Sequence, residues 1–229
     1  MTPVRAYAGR AWMILWKDLL VERRAKESAN ALLFFTVTLL FLFQFALGTD
    51  RERLAAVLPG LLWLAVVLSG LLGLGRLFVA ERENDCWEAL RLVPGDKSAI
   101  FVGKLAANLI LLALLEVVLV ALVGLFYGID LGRALPALAV VMALGTLGLA
   151  AIGTLFGALT APLRAREVLF PVLLLPAQVP VLLGAVSATG TALAGRPLAE
   201  AQPWLGLLAA ADCVYLVLGV LTFEFVLET

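Results

Sequence analysis

The chain has 229 residues, 63% of them hydrophobic, and a mean hydropathy of +1.05. A soluble domain is about 45–50% apolar, so this excess cannot be hidden in one water-soluble globule and indicates an integral membrane protein. Seventeen basic residues balance seventeen acidic ones, which excludes the charge excess of a nucleic-acid binder.

The chain opens on a charged, helix-like segment, residues 9–26. Trp12, Leu15, Trp16, Leu19 and Leu20 recur there at i, i+3, i+4, i+7 and i+8, forming one apolar stripe. Arg10, Lys17, Asp18 and Arg24 decorate the remainder. Such a helix is expected to lie in the membrane interface with its tryptophans at headgroup depth; packing on a partner protein is the alternative. Its apolar run starts only near residue 31 and no small-residue cleavage pattern follows, so it is not read as a cleavable signal.

A membrane helix needs about 20 mainly apolar residues. Six stretches are read as spans: 31–48, 54–79, 99–128, 134–160, 168–190 and 204–227. The connecting segments are too short to fold alone, so residues 1–229 form one all-α membrane domain. Placing the N-terminus in the cytoplasm leaves only Arg51, Arg53, Arg133 and Arg196 outside, out of 17 basic residues. That positive-inside bias puts both termini and the loop after the second span in the cytoplasm.

This loop, residues 81–97, carries "ERENDCWEALRLVPGDK". Trp87, Leu90 and Val93 line one face of a short helix; Glu81, Glu83, Asp85 and Glu88 load its N-terminal half, where the helix dipole favours negative charge. Pro94 stops it. A short acidic amphipathic helix suits docking into a groove of another protein, against the plain alternative of a solvated loop.

Two acids lie inside spans: Glu116 in the third and Asp212 in the sixth. A charge at the bilayer centre costs about 2.5–3.5 kcal/mol on insertion scales, so such groups face a bundle interior or a wet cavity. Glu116 is expected to be protonated or to pair with a polar group such as Gln44 or Gln178. A role on a substrate or conformational path and a role as interhelical glue both stand open. Gly124 and Gly128, and Gly153 and Gly157, have G-x-x-x-G spacing and are read as packing. The fifth span carries Pro171, Pro176 and Pro180. Each removes a backbone donor, at about 3 kcal/mol in a helix interior. Gln178 sits between the last two and is placed to donate to a freed carbonyl. A bend or break in the outer half of this helix follows, serving as a hinge or as a static kink.

Bond-making chemistry has few candidates. Histidine is absent, removing the commonest metal ligand, general base and haem ligand. There is no G-x-x-x-x-G-K-[ST], H-E-x-x-H, C-x-x-C or G-x-S-x-G motif, and Ser98 beside Lys97 is a weak pair. Cys86 and Cys213 read as unpaired thiols. The chain is not read as an enzyme.

An interfacial helix, six spans and a cytoplasmic helix between the second and third spans resemble the exporter-type ABC permeases. "LPGLLWLAVVLSGLLGLGRLFVAERENDCWEALRLVP", "LLLPAQVPVLLG" and the leading "WKDLLVERRAKESANALLFF" are similar to the B-subunit (CcmB) family of cytochrome c maturation haem exporters. The most specific pieces are P-G-x-L-W at Pro59 to Trp63, R-L-F at Arg76 to Phe78 and L-P-x-x-x-P-V-L at Leu175 to Leu182. Glu83, Glu88, Leu90, Pro94 and Lys104 fall where the family pattern expects them. Asp85 and Cys86 stand where it commonly has a glycine and a small hydroxyl residue, and Trp87 replaces an aliphatic one.

The resemblance implies a permease subunit of the bacterial inner membrane, working with a cytoplasmic ABC ATPase and a haem-handling membrane subunit. A second copy of the chain is a further candidate partner. Glu83, Trp87, Glu88, Leu90 and Pro94 would form the ATPase contact. ATP would sit on the partner, haem would be exported or released with its chaperone by the complex, and this chain would hold no cofactor. A permease for another amphiphile, such as a lipid or drug, and a non-transporting scaffold for the ATPase are the rival readings.

Overall fold

The computed structural model describes residues 3–24, 26–48, 51–74, 78, 81, 92, 95–127, 132 and 134–228. Among them are eight α-helices: α1 (Pro3–Arg24), α2 (Lys26–Leu47), α3 (Arg51–Leu74), α4 (Ser98–Tyr127), α5 (Leu135–Thr160), α6 (Arg166–Ala177), α7 (Val179–Leu193) and α8 (Gln202–Glu228), with a 3-10 turn over Leu198–Ala201. The all-α expectation holds. Breaks between helices follow backbone chemistry: Gly95 and Gly195 adopt φ of +95° and +67°, which a Cβ would strain.

Four helical segments are long and apolar enough to cross a bilayer: Arg53–Leu74, Ser98–Leu125, Leu135–Thr160 and Leu198–Leu227. The pair α6 and α7 makes a fifth if counted as one span, bent by 56°. The expected six spans are therefore not reached among the described residues. The stretch expected as the first span contributes Phe34–Ala46 as its apolar helix. The helix that carries it, α2, runs over the 22 residues Lys26–Leu47.

α5 is the centre of the bundle and touches α3, α4, α6, α7 and α8. Its buried face is built from small residues, among them Gly145, Gly148, Ala150, Gly153, Thr154 and Gly157. In lipid, where apolar surface gives helices little reason to associate, such residues let backbones approach and dispersion contacts accumulate. A Cβ at Gly153 would stand 2.6 Å from a Leu74 methyl, and one at Gly157 3.2 Å from the Phe78 ring, so this pair packs as its spacing suggests. α8 turns the opposite kind of face outward: Val214, Val217, Leu218, Leu221 and Phe225 are all exposed, an apolar stripe suited to lipid.

Candidate coupling site

α1 is held along α4, with contacts in the same order along both helices. The Tyr7 and Ser98 hydroxyls are 3.0 Å apart. At Gly103 a Cβ would lie 2.7 Å from the Ala11 carbonyl oxygen and 2.9 Å from Ile14 Cβ, so glycine is what permits the crossing. Trp12 and Trp16 stack with ring centroids 6.5 Å apart on the opposite, exposed face. The apolar stripe is therefore as expected, but Asp18 is not surface decoration.

Asp18 is 2% exposed, Lys104 of α4 is 0% exposed and Glu81, at the start of the loop, is 5% exposed. Lys104 Nζ donates to Asp18 Oδ2 at 3.1 Å and to Glu81 Oε1 at 2.9 Å. Lys17 Nζ lies 3.3 Å from Asp18 Oδ1 and also donates to Glu81 Oε1. Two cations and two anions thus join three segments: α1, the root of the loop and the first turns of the third predicted span. Lys104 also stands 4.7 Å from the Phe78 ring centre, a cation–π contact. Phe78 and Phe101 both pack on Phe223 of α8, at 6.3 and 5.5 Å between centroids, on the Lys104 side of the cluster, where the ammonium is fully buried.

The far end of the same loop is gripped too. The Arg10 guanidinium covers Gly95 so closely that a Cβ there would sit 1.8 Å from Nη1. Asp96 Oδ1 accepts from the Ser98 backbone N–H at 2.8 Å and so caps α4. Its hydrogen bonds with Ser98, and then the Arg10 charge, hold its carboxyl below the ordinary range. Residues 81–97 therefore spring from two points that α1 braces together.

Sequence reading found the loop but missed this clamp. Its signal was present: Lys104 is a lone cation six residues into an apolar run, and such a charge requires a partner. Glu83, Trp87, Glu88, Leu90 and Pro94, the residues assigned to ATPase contact, lie outside the described residues. So does Cys86, while Cys213 is a free, exposed thiol.

The clamp has a defined pH range. For Glu81, burial raises the carboxyl's proton affinity, but the Lys104 charge and the hydrogen bonds from Lys17 and Lys104 outweigh it, leaving the group below the usual carboxylate range. For Lys17, burial works against the charge; the hydrogen bond to Glu81 and the Asp18 and Glu81 charges reverse this and raise it. A lowered acid stabilises fully above its unfolded value, about 4.3, and loses that contribution as pH falls through its folded value. A raised amine stabilises fully below about 10.4 and loses its contribution above its folded value. Protection of α1 amides, corrected for the intrinsic pH dependence of exchange, is thus expected to fall below about pH 4, with little change from pH 5 to 10. In Glu81→Gln the acid step should disappear while exchange is faster throughout. An unchanged acid step in that variant would exclude Glu81 as its source.

Inside the bundle, Glu116 pairs across helices with a polar group, as expected, but the partner is the Thr146 hydroxyl of α5 and neither Gln44 nor Gln178. Asn108 Nδ2 donates to Thr154 Oγ1 at 2.8 Å, and Trp63 Nε1 to Thr189 Oγ1 at 2.9 Å. The proline-rich span breaks at Gln178, after the 12 residues of α6 and before the 15 of α7. The break is thus near the middle, where the expectation put it in the outer half. Pro180 falls in the first turn of α7, where a missing N–H has no intrahelical role. Pro171 and Pro176 lie within α6. Gln178 Nε2 donates to Leu149 O of α5 at 3.3 Å, so it ties the break to a neighbour and leaves the proline-freed carbonyls alone. The Ala177 carbonyl at the break accepts from the Tyr215 hydroxyl of α8.

A lateral cleft of about 520 Å³ opens beside the clamp between α1, α2, α3 and α4. Its wall is largely leucine, with Ser69 and Asn108 inside and Glu22 and Arg23 on the α1 side.

Comparison with known proteins bears on this arrangement. Residues 9–228 match the family described as "CcmB protein". "Heme exporter protein B" of Pseudomonas aeruginosa is 33% identical over 191 residues, 83% of this chain and 85% of the relative. The protein of the same description from Bradyrhizobium diazoefficiens is 29% identical over 206 residues, 90% of this chain and 91% of the relative. That from Haemophilus influenzae is 32% identical over 174 residues, 76% of this chain and 78% of the relative. The match runs from α1 through α8 and takes in the clamp, the loop it braces and the broken helix, so the chain belongs to the CcmB family.

Proposed function

We propose that this chain is the permease subunit of an ABC transporter for cytochrome c biogenesis, coupling ATP hydrolysis in a partner to haem export or to release of haem-loaded chaperone. The description of its relatives as heme exporter protein B supports the substrate. The observation that carries the coupling is the clamp. A loop anchored at Glu81 to Lys104 and Lys17, and at Gly95 beneath Arg10, is seated so that a push on it reaches α4 directly.

In this reading, Glu83, Trp87, Glu88, Leu90 and Pro94 receive the cytoplasmic ATPase, which binds and hydrolyses the ATP. Six spans cross the bacterial inner membrane, both termini are cytoplasmic, and a second membrane subunit handles haem. The chain has no histidine, so it offers haem no imidazole, and any haem contact is apolar, runs through Met, Tyr or Cys, or belongs to a partner. The lateral cleft also suits another amphiphile, which keeps a lipid or drug as the second reading. The break at Gln178 is the joint that takes up the movement.

Co-purification tests the assignment. Glu88→Lys should remove the ATPase from the complex while the chain still inserts and retains α1 protection. Pro176→Ala with Pro180→Ala should keep the ATPase but lose ATP-dependent haem release. Full ATPase recovery with Glu88→Lys would sink the docking assignment, and unchanged release in the proline variant would remove the break from the mechanism.

A further inference from the structure

Asp212, in the sixth predicted span, is a buried carboxyl group with no partner among the described residues. It is 3% exposed, and neither carboxyl oxygen has a hydrogen-bond donor. It is packed hard against α5: a Cβ on Gly148 would stand 2.6 Å from Asp212 Oδ1. Gln178, fully buried, reaches the next residue of α5 through its amide nitrogen and leaves its own Oε1 without a donor. Tyr215, one turn on from Asp212 along α8, holds the Ala177 carbonyl beside Gln178. Asp212 of α8 and Gln178 at the break thus hold three buried acceptor oxygens for which the described residues supply no donor.

We propose that Asp212 is a proton-binding site set at the break between α6 and α7. An unpaired carboxylate in this setting is costly, and neutralisation relieves the cost. Among the described residues no cation is at hand to do so. α5 and α7 carry no ionisable side chain, α4 commits Lys104 to Asp18 and Glu81, and Glu116 is engaged by Thr146. Tyr215 is the titratable neighbour, and its hydroxyl proton is given to the Ala177 carbonyl. A metal ion fits poorly: calcium takes about 6–8 oxygens and magnesium demands near-octahedral geometry. One proton from the aqueous phase is enough. It converts the carboxylate to the acid, whose O–H supplies the donor that this acceptor cluster lacks. Giving the proton up requires water at the carboxylate, so release is tied to separation of α8 from α5 and the break.

Infrared spectroscopy of the reconstituted chain at neutral pH reads the site. A carbonyl band of a protonated acid is expected, shifted by carbon-13-labelled aspartate in the unsubstituted protein. The other aspartates lie in the predicted loops, apart from Asp18, which is paired with Lys104. The band should vanish in Asp212→Asn and survive in Glu116→Gln. Absence of an acid band, or a band untouched by the aspartate label, would overturn the proposal without bearing on ATPase docking.

Discussion

Lys104→Met lowers unfolding stability by about 3–5 kcal/mol, the usual result of removing one partner from a buried ion pair. The magnitude follows from burial: the ammonium is fully enclosed and its carboxylate partners, Asp18 and Glu81, are 3% and 5% exposed in their side chains. Without it, among the described residues, Asp18 and Glu81 share only Lys17, whose side chain is 45% exposed. Lys17→Met should therefore cost about 1 kcal/mol or less, in the range of exposed pairs. The triple variant Lys104→Met, Asp18→Asn, Glu81→Gln separates burial from loss of fold, because neutralising all three removes the stranded charge and should recover much of the stability. Denaturant titration in detergent, followed by α1 amide exchange, measures all three. Equal losses for Lys17→Met and Lys104→Met would refute the clamp as described.

Gly145→Ala is expected to destabilise by about 1–3 kcal/mol, an overpacking cost unusual for so small a change. The new methyl would stand 2.1 Å from Trp63 Cη2 and 2.8 Å from two further ring carbons. The indole can retreat only by giving up its 2.9 Å bond to Thr189, which links α3 to α7 across the face of α5. Gly60→Ala, in the same helix as Trp63, meets nothing within 4 Å and supplies the control. Thermal unfolding of the two variants should differ clearly; matching midpoints would mean that Trp63 does not pin these helices.

Much of this molecule was legible in linear order. A 63% hydrophobic chain with long apolar runs must satisfy its backbone within helices, so the all-α membrane class followed from composition. The tryptophan stripe of α1 followed from its period, and the break of the fifth predicted span from its three prolines. Each is a property of neighbours along the chain. The exact seat of the break was not, because Tyr215 and Gln178 set it from α8 and toward α5.

Which polar groups find one another depended on contacts between residues far apart in the chain. Asp18 and Lys104 are 86 residues apart, Glu116 and Thr146 are 30 apart, and Trp63 and Thr189 are 126 apart. A charge in an apolar run announces that it needs a partner and is silent about which one. The sequence by itself determined the helices, their apolar faces and the position of the loop between the second and third predicted spans. Only the tertiary structure decided that α1 braces that loop at both ends and that Asp212 is left facing acceptors alone. The reason is physical: hydrophobic period acts over one helical turn, whereas charge pairing in a low-dielectric interior is settled by which helices pack together.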